Sequence, residues 1–334
     1  MIDCGMICNC LKGHARALAA MACVFGMVLL GGCGDGGSGH ALADALRMAR
    51  RGDWADALPI AEKRVREVPT DSDAVAFLAL CLFHNGEGAD SRNRAMNLMR
   101  QAADALPERY DIQYAYGVML FEAKSYTDAM QPLKRAYELH LKEEHSIPQE
   151  TQGDVKYALG MCCLRNNKFA DAAKYLEQAA RSNPYAFWPD VQNDIAVSLF
   201  FQGKYLEAMN ALDAAMKLNA ANARLAEKKK AELESLQQKG TPAQVKNKQN
   251  EIAQISYAFP HVTGLNMAVA CDYLSYKQYN PRNPEAFRSG AVSWYGYALG
   301  AFQKARREAG SASQQIAYGK TISSIELRRA ALSR

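Results

Sequence analysis

The chain has 334 residues, of which 49% are hydrophobic and 22% charged, and 40 Lys and Arg against 35 Asp and Glu leave a formal charge of +5. That length and apolar content exclude a disordered chain and supply enough material for a large core with a second region beside it. The charge excess is slight and reads as spread over the chain, so no nucleic-acid partner is expected.

In chain order, the first predicted element is a leader over residues 1–32. Lys12 and Arg16 precede the apolar run Ala17 to Leu30, 14 residues long, which is too short for an ordinary membrane span and fits the apolar region of an export signal. Leu30-Gly31-Gly32-Cys33 follows and resembles the bacterial lipoprotein signal. The resemblance implies cleavage before Cys33, acylation of its thiol, and a Gly-rich tether over 33–40. The alternative is a short anchor helix with an incidental cysteine. Gly34, rather than Asp, after the cysteine implies the outer membrane, facing the periplasm.

Residues 41–222 carry a helical repeat. Trp54, Tyr126, Phe169 and Tyr205 each lie three residues before an alanine (Ala57, Ala129, Ala172, Ala208), and a small residue lies twelve before each alanine (Ala45, Gly117, Gly160, Ala196). Ala57 to Pro69, Ala95 to Pro107 and Ala172 to Pro184 are also twelve apart, which brings the number of units to five. The cause is physical: two helices joined by a short turn approach closely only where their crossing side chains are small. Gly52, Asn167 and Gly203 supply residues tolerant of positive φ for the turns, and proline ends the second helix.

The unit Leu159-Gly160, Phe169, Ala172, Leu176, Ala179, Pro184 resembles the tetratricopeptide repeat family. The resemblance implies an all-α, right-handed superhelical solenoid of about five helix-turn-helix repeats. Four departures carry expectations of their own. Asp44 replaces a large apolar residue in the first unit and reads as a polar cap; about four extra residues near Gly86 to Asn93 should loop out on one edge; the third unit runs on through His140 to Gln149; and Ala220 stands where the fifth unit should have proline.

In such a solenoid the first helix of each unit lines the concave face. Sliding the repeat along the sequence places Leu80 and Phe83, then Tyr114, Val118 and Phe121, then Tyr157, Met161 and Leu164 with Arg165, then Val197, Phe200 and Phe201 along it. This predicts an apolar, aromatic groove suited to a partner peptide or helix. Each of these side chains has a second reading as ordinary core.

Residues 223–334 form a C-terminal helical region. A charged helix is expected from Ala223 to Lys239, then helices over 243–258, 264–278, 284–309 and 312–330, with Asn283 and Pro284 opening the third and Gly310 closing it. Leu299-Gly300 looks like the repeat pairs and raises the possibility of a degenerate sixth unit. Tyr257, Tyr273, Tyr276, Tyr279, Tyr295, Tyr297 and Tyr318 are dense here and suit either an interface or a core with hydroxyls at its rim. If this region folds back, it fills the groove.

Past Cys33 the cysteines are Cys81, Cys162, Cys163 and Cys271, too far apart or too close in sequence to pair, and read as small buried hydrophobes. No Cys or His pair has metal-ligand spacing and no nucleophile, phosphate-loop or zinc-protease motif occurs, so neither metal, cofactor nor catalytic residue is expected. The expected function is a membrane-anchored scaffold in the bacterial cell envelope that binds a protein or peptide. The alternative is an envelope enzyme, or an accessory subunit of one, whose C-terminal region carries the activity.

Overall fold

The computed structural model describes residues 37–86, 88–142, 149–182, 185–253, 255, 260–276 and 283–333. The leader, Cys33, Tyr257 and Tyr279 lie outside the described residues. Among those described, every regular element is a helix. Five helical hairpins come first: α1 (Gly37–Arg50) with α2 (Trp54–Glu67), α3 (Ser72–Asn85) with α4 (Ala89–Ala105), α5 (Tyr110–Glu122) with α6 (Tyr126–Lys142), α7 (Gln149–Arg165) with α8 (Phe169–Ala179), and α9 (Pro189–Phe201) with α10 (Tyr205–Lys239). After a hairpin turn come α11 (Pro242–Ala253), α12 (Pro260–Leu274), α13 (Pro284–Arg307) and α14 (Ala312–Leu332).

The expected crossings are where the hairpins close. A Cβ built on Gly117 would lie 2.5 Å from Leu133 Cγ on α6, and one on Gly160 would lie 2.8 Å from Leu176 Cγ on α8. Only a glycine lets these helices come so near. The alanines opposite, Ala57, Ala95, Ala129, Ala172 and Ala208, are all buried. The turns take the left-handed conformation at Gly52 (φ 92°), Asn167 (φ 58°) and Gly203 (φ 77°) as the spacing requires, and also at Lys124 (φ 63°).

Helices lengthen where a stop signal is missing. The extra residues of the second unit do not loop out: α4 begins at Ala89, so they become an added turn of helix, whose polar Asp90, Ser91 and Arg94 suit a helix surface. With Ala220 in the place of proline, nothing halts α10, which runs unbroken for 35 residues to Lys239. Helix α1 begins at Gly37, inside the stretch read as a tether. Asp44, the expected polar cap position, is exposed and paired with Arg47.

The chain divides at 182/183 into two compact units. Because α10 passes straight through residue 222, the fifth hairpin shares its unit with the C-terminal region rather than with the first four. There α12 packs on α9, α10 and α13, and α14 packs on α13. Asn283 caps α13, accepting from Ala286 N–H at 3.4 Å, and Thr241 and Gln244 bond reciprocally across the first turn of α11 as a capping box. Gly300 is not a repeat-like crossing, since a Cβ there would meet nothing within 4 Å. Gly264 of α12 takes that role, with the Tyr297 ring 2.6 Å from its would-be Cβ.

No helix of the described residues is long and apolar enough to cross a membrane.

Candidate interaction surface

At 100° per residue, Tyr114, Val118 and Phe121 lie about 40–100° round α5 from Gly117, and Tyr157, Met161 and Leu164 lie at the same angles from Gly160 on α7. The two triplets are thus equivalent faces of successive first helices, as the repeat spacing predicts. The structure covers them. Tyr114 is 2% exposed, Val118 1%, Phe121 5%, Tyr157 7%, Met161 0% and Leu164 3%, so the expectation of an open groove wall is corrected to one of buried side chains. Arg165 is half-buried, its guanidinium 5.4 Å over the Tyr126 ring, which Phe121 meets edge-on at 5.4 Å.

Burial goes almost all the way round these helices. Every residue from Ala74 to Leu82 on α3 is buried, as is all of Tyr110 to Phe121 on α5 except Tyr116. A helix packed on one side by its own hairpin partner would show a polar stripe on the other; one that is apolar all round requires cover all round. The face bearing the two triplets already has that cover, since these side chains are buried in the chain by itself. Sequence periodicity locates such a face but cannot say whether water or another surface meets it.

In the compact unit that follows residue 182, Val197 is 4% exposed, and Phe200 and Phe201 are half-buried. Here the covering group is visible. The Phe200 ring lies 4.9 Å from that of Tyr273 on α12 and 5.1 Å from that of Tyr205, both edge-on. The C-terminal region thus packs on this first helix.

Polar groups that the sequence reading passed over border these faces. Asp73, Asp111 and Asp154 hold equivalent places near the starts of α3, α5 and α7, and Asp111 and Asp154 each stand six residues before a glycine, an offset that could have been found by counting. Arg109 joins the first two: its Nη1 donates to Asp73 at 2.9 Å and its Nε and Nη2 fork onto Asp111 at 3.0 and 2.8 Å. Asp111 has no exposed surface, so this bidentate pair supplies the partner its buried charge needs. Burial, with the Asp154 charge adding to it, raises the Tyr110 and Tyr114 hydroxyls and keeps both phenols neutral.

At the far ends of the same helices, His84 stacks on Trp54 with centroids 4.0 Å apart, and burial lowers its pKa. The equivalent residue of α5 is Glu122, whose carboxyl burial pushes up to about 7 against the weaker opposing pull of Arg92. The cysteines are packing residues, as expected: all four of those described are buried and free, and burial pushes Cys81 up to about 12 and Cys163 and Cys271 to about 11. No group of three or more His, Cys, Asp or Glu that could hold a metal occurs among the described residues.

The C-terminal region has a second buried ion pair. Arg328 of α14 forks onto Asp272 of α12 at 2.6 Å through both nitrogens, and the buried Tyr295 hydroxyl of α13 donates to the same carboxylate at 2.9 Å. Three helices are thereby tied at one carboxylate. Among the tyrosines, Tyr295 is core, while Tyr297 and Tyr276 are 48% and 43% exposed.

Residues 91–140 and 152–187, about a quarter of the chain, match the tetratricopeptide repeat family. They run from α4 through α6 and from α7 past α8. Among solved structures, MamA from Desulfovibrio magneticus is similar at 15% identity over 55% of this chain and 96% of its own, with a TM-score of 0.45. YrrB, described as a TPR protein with an unusual peptide-binding site, is similar at 17% identity over 54% of this chain and 85% of its own, with a TM-score of 0.45. None of the curated proteins compared with the chain matches it.

Proposed function

We propose that this protein is a protein-interaction scaffold of the bacterial cell envelope, anchored by lipid at Cys33 and presenting the first-helix face of its repeats to a partner helix or peptide. The tetratricopeptide match supports the scaffold reading. The observation that carries it is the apolar face of α5 and α7: Tyr114, Val118, Phe121, Tyr157, Met161 and Leu164 are buried under the chain's own residues, and a partner takes this face by displacing that cover. A partner helix suits that exchange, because apolar side chains at helical spacing on one molecule interleave with those on the other. Binding of this kind draws on buried area and changes little with salt.

The anchor reading rests on Leu30-Gly31-Gly32-Cys33 behind a basic and apolar leader, and Gly34 favours the outer membrane with the repeats in the periplasm. Mass spectrometry of the mature N-terminus tests it. The expected species begins at an acylated Cys33, and Cys33→Ser leaves an unprocessed precursor because serine has no thiol to form the thioether. A mature chain that begins elsewhere and carries no lipid would remove the anchor from the account while leaving the scaffold to be tested on its own.

A further inference from the structure

The chain's charge is less evenly spread than its composition implied. Residues 217–253, the distal part of α10 and all of α11, hold eight Lys and Arg against four Glu, a net +4 within a chain of net +5. Part of this charge is internal cement. Lys229 bonds Glu251 at 2.5 Å, and Lys248 bonds Glu232 at 3.0 Å and Glu251 at 2.9 Å, pairing α10 with α11 and holding the Glu251 carboxylate down to about 2. Lys229 is accordingly not the solvated side chain its charged surroundings imply: it is 22% exposed.

The remaining cations are arranged differently. Lys217, Arg224, Lys228 and Lys239 are all exposed, and at 100° per residue they fall within about 60° of arc on α10, along about 33 Å of helix. Of these, Lys217 is paired with Asp213 and Lys228 adds to the stronger pull of Lys248 that lowers the Glu232 carboxylate, while Arg224, Lys228 and Lys239 make none of the close ion pairs described. Lys229 and Glu232, the residues of α10 that bond α11, lie about 60–120° round the helix from Lys217, so pairing with α11 leaves the stripe exposed.

The geometry points to a stripe that docks on an anionic lipid surface. It rests on the membrane-anchor reading above, which places phospholipid headgroups within reach of the chain. A straight row of cations suits a planar array of phosphates, each cation near such a surface adding about fivefold to affinity. Segment 217–253 contains no aromatic residue on which a nucleic-acid base could stack. An acidic protein surface is the competing occupant, and the test is chosen to separate it.

The experiment is co-sedimentation of the full chain with vesicles of phosphatidylcholine alone and of phosphatidylcholine with phosphatidylglycerol, for wild type and for the triple variant Arg224→Gln, Lys228→Gln, Lys239→Gln. Wild type should bind the anionic vesicles more tightly than the neutral ones, with the excess lost at high salt. The triple variant should lose on the order of a hundredfold of that excess while its melting temperature stays put, since these side chains hold no described ion pair. Equal binding to both vesicles, an unchanged triple variant, or binding abolished by soluble polyglutamate at far lower charge concentration than the vesicles would each overturn the proposal. Whether Cys33 carries lipid is read separately by mass spectrometry, and the anionic excess should persist in Cys33→Ser, so failure of the stripe and failure of the anchor are told apart.

Discussion

Lys124 shows how a single residue carries a cost that its neighbours in the repeat avoid. It occupies the left-handed turn between first and second helix at φ 63°, where the equivalent positions hold Gly52, Asn167 and Gly203. A side chain in that conformation costs about 1 kcal/mol, so Lys124→Gly should stabilise the protein by up to about 1 kcal/mol, less what the freer glycine loses in the unfolded chain. Denaturant midpoints for the variant and wild type check this. Glu122 offers a pH-dependent case. Its folded pKa is raised to about 7 from an ordinary 4.5, so folding takes up a proton. The stability tied to this carboxyl is present below about pH 4.5 and is lost as pH rises through about 7. Glu122→Gln should therefore raise the denaturation midpoint at pH 8, change it little at pH 4, and flatten the slope between. The Gly52, Asn167 and Gly203 turns were legible because residue type dictates φ there; Lys124 was not, because nothing about lysine announces a left-handed backbone.

At the scale of elements, the hairpin crossings follow directly from residue volume. Gly160 and Leu176 meet so closely that even a methyl group at Gly160 lies 2.8 Å from the leucine. Gly160→Ala should cost on the order of 1–3 kcal/mol by overpacking, Gly160→Leu more, and Lys228→Ala on exposed helix under about 0.5 kcal/mol. Pairing Gly160→Ala with Leu176→Ala should recover the strain part of the loss, so the double variant falls short of the sum of the singles. Helix positions were legible to within a few residues, since small-large periodicity and proline stops are local signals. What periodicity missed is set by distance in sequence. The extra residues of the second unit extend α4 instead of looping out, and the Arg328–Asp272–Tyr295 cluster joins residues up to 56 apart. Neither a helix preferring one more turn nor a charge finding a distant partner leaves a mark at a fixed offset.

For the molecule as a whole, the repeat spacing correctly placed two equivalent apolar faces on α5 and α7 yet left open what would meet them. The same apolar sequence serves an open groove or a covered one, and burial around α3, α5 and α7 shows that in this chain the face is covered. At the fifth hairpin that cover comes in part from α12, through Tyr273 on Phe200. On α5 and α7 we place the partner at this face, where it displaces the chain's own cover. The most direct measurement replaces single residues by a photo-crosslinking phenylalanine derivative in cells: Phe121 and Tyr157 on the first-helix face, and the exposed Lys174 and Glu177 on α8. With the cover displaced by a partner, one discrete adduct with another protein is expected from positions 121 and 157 and none from 174 and 177. Adducts from α8 alone, or from no position on the first-helix face, would contradict it.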